Sequence, residues 1–320
     1  MSWDSKSGDL IETFDNDELF DCFMNCFNSN HGKKTSYKFC LIKSILDNIF
    51  NCSAFILSFN QLNKTFLKIY WNLICKYDLP QMSEKNRISD VEKIIFEIKK
   101  EYNLDYNCDY DFIEYKIKSR YWDEAKDIFP KYVIGALYSD LKGKIYGFDK
   151  TKKIIYFSQK TFDFLINNKC LLEKVNYYSW IVWMETILNR NDVEIGNLSL
   201  KLDLSSKRQS LNEFKKELFF HEKETCFYCG KKIIKSSCHV DHFIPWSFVK
   251  NDNIWNLVLS CSECNLKKNN KIPNYKYLIK LIERNNKLFG DKYAAKIDIL
   301  YHSALKNGFE VWKFDKGGAK

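Results

Sequence analysis

Residues 226–271 read CFYCGKKIIKSSCHVDHFIPWSFVKNDNIWNLVLSCSECNLKKNNK, and two pairs of cysteines bracket the run at C-x-x-C spacing: Cys226 with Cys229, and Cys261 with Cys264. A C-x-x-C turn offers two thiolates from one knuckle, so two such turns supply the four donors of a closed tetrahedral zinc site. The segment between the pairs, 230–260, is longer than the ~15–20 residues of a simple zinc ribbon. That length leaves room for something other than a turn.

The insert holds His239, Val240, Asp241, His242, Phe243, Ile244 and Pro245, then Asn256 and Leu257 just before the second pair; Asn265 directly follows Cys264. Hydrolysis of a phosphodiester needs a base to activate water and a hard cation to offset developing negative charge, and hard cations prefer oxygen ligands. Asp241 and Asn265 suit the cation, and His242 suits the base. Neighbouring residues of a strand point to opposite faces, so Asp241 and His242 converge on one phosphate only if the backbone bends or the strand ends there. Pro245 suits a strand exit. The bland alternative is a hydrogen-bonded Asp–His pair in a purely structural zinc module.

The segment 226–271 resembles the HNH endonuclease family, with its ββα-metal fold. The resemblance rests on Val240-Asp241-His242-x-x-Pro245, Asn256-Leu257 and Cys261-x-x-Cys264-Asn265-x-x-Lys268, matched in order and approximate spacing. The run 240–268 is also similar to the HNH domain of the RNA-guided CRISPR nuclease, which lacks the cysteines. The resemblance implies that Asp241 and Asn265 ligate Mg2+ or Mn2+, that His242 is the general base, and that Asn256 holds the loop bearing His242. It further implies that Lys268 meets the phosphate backbone and that the four cysteines bind structural zinc. Asn265 stands where the family name has its last His, which favours a hard cation over a transition metal. His239 is open between a phosphate contact, a further ligand and an exposed imidazole. Trp246 and Phe248 are expected to pack a small core rather than wedge against a nucleotide.

Outside this segment, charge is unevenly distributed. The 320-residue chain carries a formal +9, with 23 basic and 13 acidic residues in 201–320 against 27 and 28 in 1–200. A basic region around the motif fits a polyanionic partner. Lys267, Lys268 and Lys271 are its candidate contacts, aided by the positive end of a helix expected after Asn265. The first 24 residues hold seven acidic residues and one Lys, which speaks against a signal peptide, and no apolar run approaches the ~18–20 residues of a membrane span. The remaining cysteines (Cys22, Cys26, Cys40, Cys52, Cys75, Cys108, Cys170 and Cys238) lack paired spacing and read as small apolar residues in a reducing cytoplasm.

Further upstream, apolar periodicity predicts an amphipathic helix over 37–50, a second from the N-cap Ser58 to Ile74, and a third from the Ser89/Glu92 capping box. The first two permit a helix-turn-helix reading, but bundle packing is favoured. Residues 144–148 and 154–157 predict a β-hairpin, and Ser158 caps a further helix. A long apolar helix over 171–188 carries Tyr177, Tyr178, Trp180 and Trp183, expected in the core. The polar stretch 189–208 is the expected boundary.

The expected fold is α+β. A mainly helical domain, 1–200, with one hairpin recognises DNA or docks a partner, and a zinc-stapled ββα nuclease domain, 201–320, is wrapped by helices from 274 onward. The expected activity is divalent-metal-dependent cleavage of DNA. Its setting is restriction or antiphage defence, alone or beside an ATPase or another defence protein, and as a possible homodimer. A helical N-terminal region before a C-terminal HNH module resembles defence-associated HNH proteins in layout. Two alternatives stand: an RNA-cleaving HNH nuclease, and a zinc-dependent nucleic-acid binder whose Asp–His pair is inert.

Overall fold

The computed structural model describes residues 5–12, 14–28, 34–84, 87–105, 108, 110, 128, 130–189, 197–205, 211–222 and 224–313. The chain divides into two compact units, Met1–Lys207 and Arg208–Lys320. Much of the stretch expected to mark a boundary, 190–196 and 206–210, lies outside the described residues. Among them no helix is long and apolar enough to cross a membrane. The architecture is α+β, with a mainly helical first unit and a small mixed second one.

The first unit is organised around the helix Tyr37–Asn48, which packs on Phe59–Trp71 and on the long helix Lys169–Asn189. The helix starts are chemically specified. Ser58 with Gln61, Ser89 with Glu92 and Ser158 with Thr161 each close a capping box, so the side chain of each serine accepts an otherwise unpartnered N–H. Tyr37–Asn48 departs from the amphipathic expectation, because all its residues but Lys38 are buried. Its Lys43 donates to both oxygens of Asp47 at 2.5 and 2.6 Å and to Glu173 at 2.8 Å, and Lys169 lies 3.5 Å from Glu173. Two ammonium groups and two carboxylates thus neutralise one another inside the bundle. With both of its faces covered, this helix has none left for a DNA groove, which favours bundle packing over the helix-turn-helix reading. In the long helix Trp180 and Trp183 are buried as expected, whereas Tyr178 is 70% exposed and corrects the core assignment.

The expected hairpin forms from β3 and β4, as the antiparallel strands Gly147–Asp149 and Ile154–Tyr156. It is the centre of a four-stranded sheet: Ser7–Gly8 (β1) pairs with β3, and Ile56–Ser58 (β2) with β4. Gly147 lies against the Tyr156 ring, whose nearest carbon would stand 2.2 Å from a Cβ there, so a larger residue would have to displace that ring.

The second unit begins with the helix Asn212–His221. A two-stranded antiparallel ribbon follows, His239–His242 (β5) against Leu257–Ser260 (β6), and then the short helix Ser262–Lys268. The helices Tyr275–Phe289 and Ala294–Lys306 come next. A last strand, Val311–Trp312 (β8), pairs in parallel with Ile272–Pro273 (β7). Half-buried Arg284 and buried Asn285, on Tyr275–Phe289, fasten that helix to the ribbon and the residues just before it: Arg284 donates to Leu257 O at 2.9 Å and Asn285 to Trp255 O at 2.8 Å.

Candidate active site and metal centre

The first cysteine pair sits in a tight turn. Cys226 N–H donates to Lys231 O and Gly230 N–H to Cys226 O, at 2.8 and 2.9 Å, and Gly230 adopts φ +74°, a conformation suited to glycine. Phe227 N–H donates to Leu259 O, which ties this turn to β6. The second pair follows β6 directly: Cys261 is the residue that starts the helix Ser262–Lys268, and Cys264 lies in its first turn. All four sulfur atoms lie within 4.8 Å of one another, and the Cys229 and Cys261 sulfurs are 3.8 Å apart. Zn–S bonds of ~2.3 Å in a tetrahedron place sulfurs about 3.8 Å apart, so this quartet fits a structural zinc. Burial works against thiolate at Cys226, but N–H donors from Cys229, Cys261 and Tyr228 outweigh it and pull its pKa down. Burial pushes Cys229 and Cys264 up.

Beyond the quartet, β5 brings Asp241 and His242 to its C-terminal end, and the backbone bends at Phe243 and Ile244 immediately afterwards. The two side chains do not bond to each other. Asp241, 8% exposed, accepts from Tyr228 Oη at 2.5 Å and from Lys268 Nζ at 3.2 Å. His242, 3% exposed, has its Nε2 at 2.8 Å from Asp252 Oδ1. Asn256, wholly buried, grips the bend: its Oδ1 accepts from Ile244 N–H and its Nδ2 donates to Ile244 O, both at 2.9 Å. Its own carbonyl accepts from Phe243 N–H at 2.8 Å. The segment after His242 therefore carries three hydrogen bonds to a single residue.

Asn265 is half-buried on the helix Ser262–Lys268, which packs against β5. The donors available to a hard cation are the Asp241 carboxylate and the Asn265 amide oxygen. Oδ2 of Asp241 meets both the Tyr228 hydroxyl and the Lys268 ammonium, whereas Oδ1 meets Lys268 and keeps accepting capacity. Mg2+ retains several waters and takes only one or two protein carboxylates, so this donor set suits it chemically.

Two expectations about the basic residues need correction. Lys268 is 1% exposed, donating to Asp241 and to His242 O at 2.7 Å, so its ammonium braces the end of β5 instead of facing a phosphate backbone. Burial, opposed by the Asp241 charge, lowers its pKa. The helix expected after Asn265 in fact starts at Ser262, so Lys267 and Lys268 lie in its last turn, at the negative end of the dipole. Lys267 is exposed and paired with Glu263, and Lys271 is half-buried and lies 3.1 Å from Glu310. His239 is exposed at the start of β5. Phe248 is fully buried against Phe309, as expected, whereas Trp246 is half-buried with Lys250 over its ring.

Asp252 and Tyr228 escaped the sequence reading. Asp252 stands in a polar run, 250–253, ten residues after the histidine it meets, and Tyr228 is a variable position of the first C-x-x-C. Neither carries a local signal.

Residues 226–274 match the family model described as HNH endonuclease. Comparison with the curated proteins and with the solved structures returned no significant match.

Proposed function

We propose that this chain is a divalent-metal-dependent HNH endonuclease that hydrolyses DNA phosphodiesters. The observation that carries the reading is the position of His242 at the bent end of β5, beside Asp241 and against the helix bearing Asn265, inside the segment matching the HNH endonuclease family. Asp241 and Asn265 would hold Mg2+ or Mn2+, which when bound supplies positive charge to the phosphate and the leaving oxygen. His242 takes a proton from water, and the resulting hydroxide attacks phosphorus in line with the departing 3′ oxygen. Asn256 keeps the bend, and with it the imidazole, in place. Cys226, Cys229, Cys261 and Cys264 bind the structural zinc. Exposed Lys267 and His239, and half-buried Lys271, exchange their present surroundings for backbone phosphates.

The first unit would supply target choice. In the restriction or antiphage setting it reads a DNA sequence or docks a partner such as an ATPase, and a homodimer would turn single-strand nicks into double-strand breaks.

Supercoiled plasmid incubated with the purified chain and Mg2+ or Mn2+ tests the activity. Nicked or linear product is expected, and His242→Ala should abolish it. Intact plasmid under both metals would remove the nuclease reading, and degradation of structured RNA alone would replace DNA as the substrate.

A further inference from the structure

His242 is held from two sides. The end of β5 and the Asn256 grip fix its backbone, while its ring meets a carboxylate from a separate loop, with Nε2 at 2.8 Å from Asp252 Oδ1. That loop is itself pinned. Lys250 takes the left-handed conformation, φ +53°, with its N–H on Trp246 O at 2.8 Å. Asn251 Nδ2 donates to Val249 O at 3.0 Å, Asn253 Nδ2 to Asn251 Oδ1 at 2.7 Å, and Asn256 N–H to Asn253 O at 2.9 Å. Asp252 is therefore presented to the ring by a rigid turn with bonds on both flanks, and its side chain is itself 16% exposed.

A carboxylate only accepts hydrogen bonds, so a neutral imidazole facing it must carry its proton on Nε2 and its lone pair on Nδ1. We propose that Asp252 is a positioning residue that fixes the ring angle and the Nε2–H tautomer of His242, making Nδ1 the atom that receives the proton of the attacking water. The inference rests on the reading of His242 as the general base. In the proton transfer, the water O–H bond breaks, its proton passes to Nδ1, and the Nε2 proton stays in its bond to Asp252. The alternative, a pair that merely stabilises the loop, has no reason to affect turnover separately from folding.

The test uses the zinc-loaded full chain with Asp252→Asn, Asp252→Glu and an Asp241→Ala control. The Asn side chain keeps the shape but offers either an acceptor or a donor, so the tautomer is released. Turnover on supercoiled plasmid with Mg2+ should fall about 10- to 100-fold in Asp252→Asn, the range for loss of a residue that orients a reactive ligand or base. KM should stay within twofold, zinc content should stay unchanged, and Asp252→Glu should recover part of the loss. Nitrogen-15 spectra of labelled histidine, assigned with His242→Gln, should show a pyrrole-type Nε2 and a pyridine-type Nδ1 in the wild type, and a mixture of tautomers in Asp252→Asn.

Turnover of Asp252→Asn within threefold of wild type overturns the proposal. So does a wild-type ring with its proton on Nδ1 or on both nitrogens, or an unchanged tautomer in the variant. A wild-type chain that shows the Nε2–H tautomer yet leaves plasmid intact, as Asp241→Ala does, sinks the nuclease reading instead and reduces the contact to loop packing.

Discussion

Asn256 illustrates how one side chain can fix the backbone beside a residue it never touches. Its amide satisfies both the N–H and the C=O of Ile244, two residues beyond His242. Asn256→Ala leaves both buried groups without a partner, at about 1–3 kcal/mol each. A lower melting temperature and a fall in kcat with little change in KM are expected; thermal melts and plasmid nicking of the same preparation would check this, and an unchanged melt would contradict it. The place of this residue was legible only through the resemblance to the HNH endonuclease family, which implied that Asn256 holds the loop bearing His242. Lys268 was not legible. A lysine in a basic run reads as solvated, and its burial is decided by Asp241, 27 positions earlier, with Tyr228 on the same carboxylate. Lys43 is a second case, since its burial depends on Glu173 from another helix.

At the scale of elements, local chemistry fixed starts and turns well. The N-caps Ser58 and Ser158 and the Ser89/Glu92 capping box were written in residue types, and each closes a full box in the fold. The β3–β4 hairpin was likewise visible, and its turn is closed by Asp149 Oδ1, which accepts N–H bonds from Thr151 at 2.8 Å and Lys152 at 3.0 Å. Those backbone donors, the Lys152 N–H foremost, hold the Asp149 carboxyl below its ordinary pKa. The bonds therefore favour the folded state when the carboxylate is ionised: their contribution is complete above the unfolded-state pKa, ~3.9, and disappears as pH falls through the lower folded value. Asp149→Ala should thus be less stable than wild type at neutral pH, with the two denaturation curves converging in acid; a constant gap down to strong acid would contradict the assignment. The outer strands left no such trace. Ser7–Gly8 gains its place only by pairing with residues about 140 positions away, and two residues show no period.

For the molecule as a whole, the asymmetry of charge is the feature most directly tied to a partner. With 23 basic against 13 acidic residues in 201–320, binding to duplex DNA should weaken steeply with salt. Log affinity should fall linearly with log salt, at a slope of about −0.9 for each phosphate neutralised. Removing one candidate contact, in Lys271→Ala, should flatten the slope by about one such unit across unrelated sequences, as fluorescence anisotropy would measure; no change would exclude Lys271 from the phosphate path. The α+β class follows from patterns summed over many residues, which is why it was readable when single partners were not.

Cys261 belongs to the sulfur quartet and also begins the helix on which Asn265 and Lys268 ride. A chelator added to starve the hydrolytic site would therefore strip the sulfur-bound ion as well and loosen the segment that aims the oxygen donors. Replenishing with magnesium alone would then revive nothing, and an apparent preference for zinc in such a rescue would report refolding rather than chemistry.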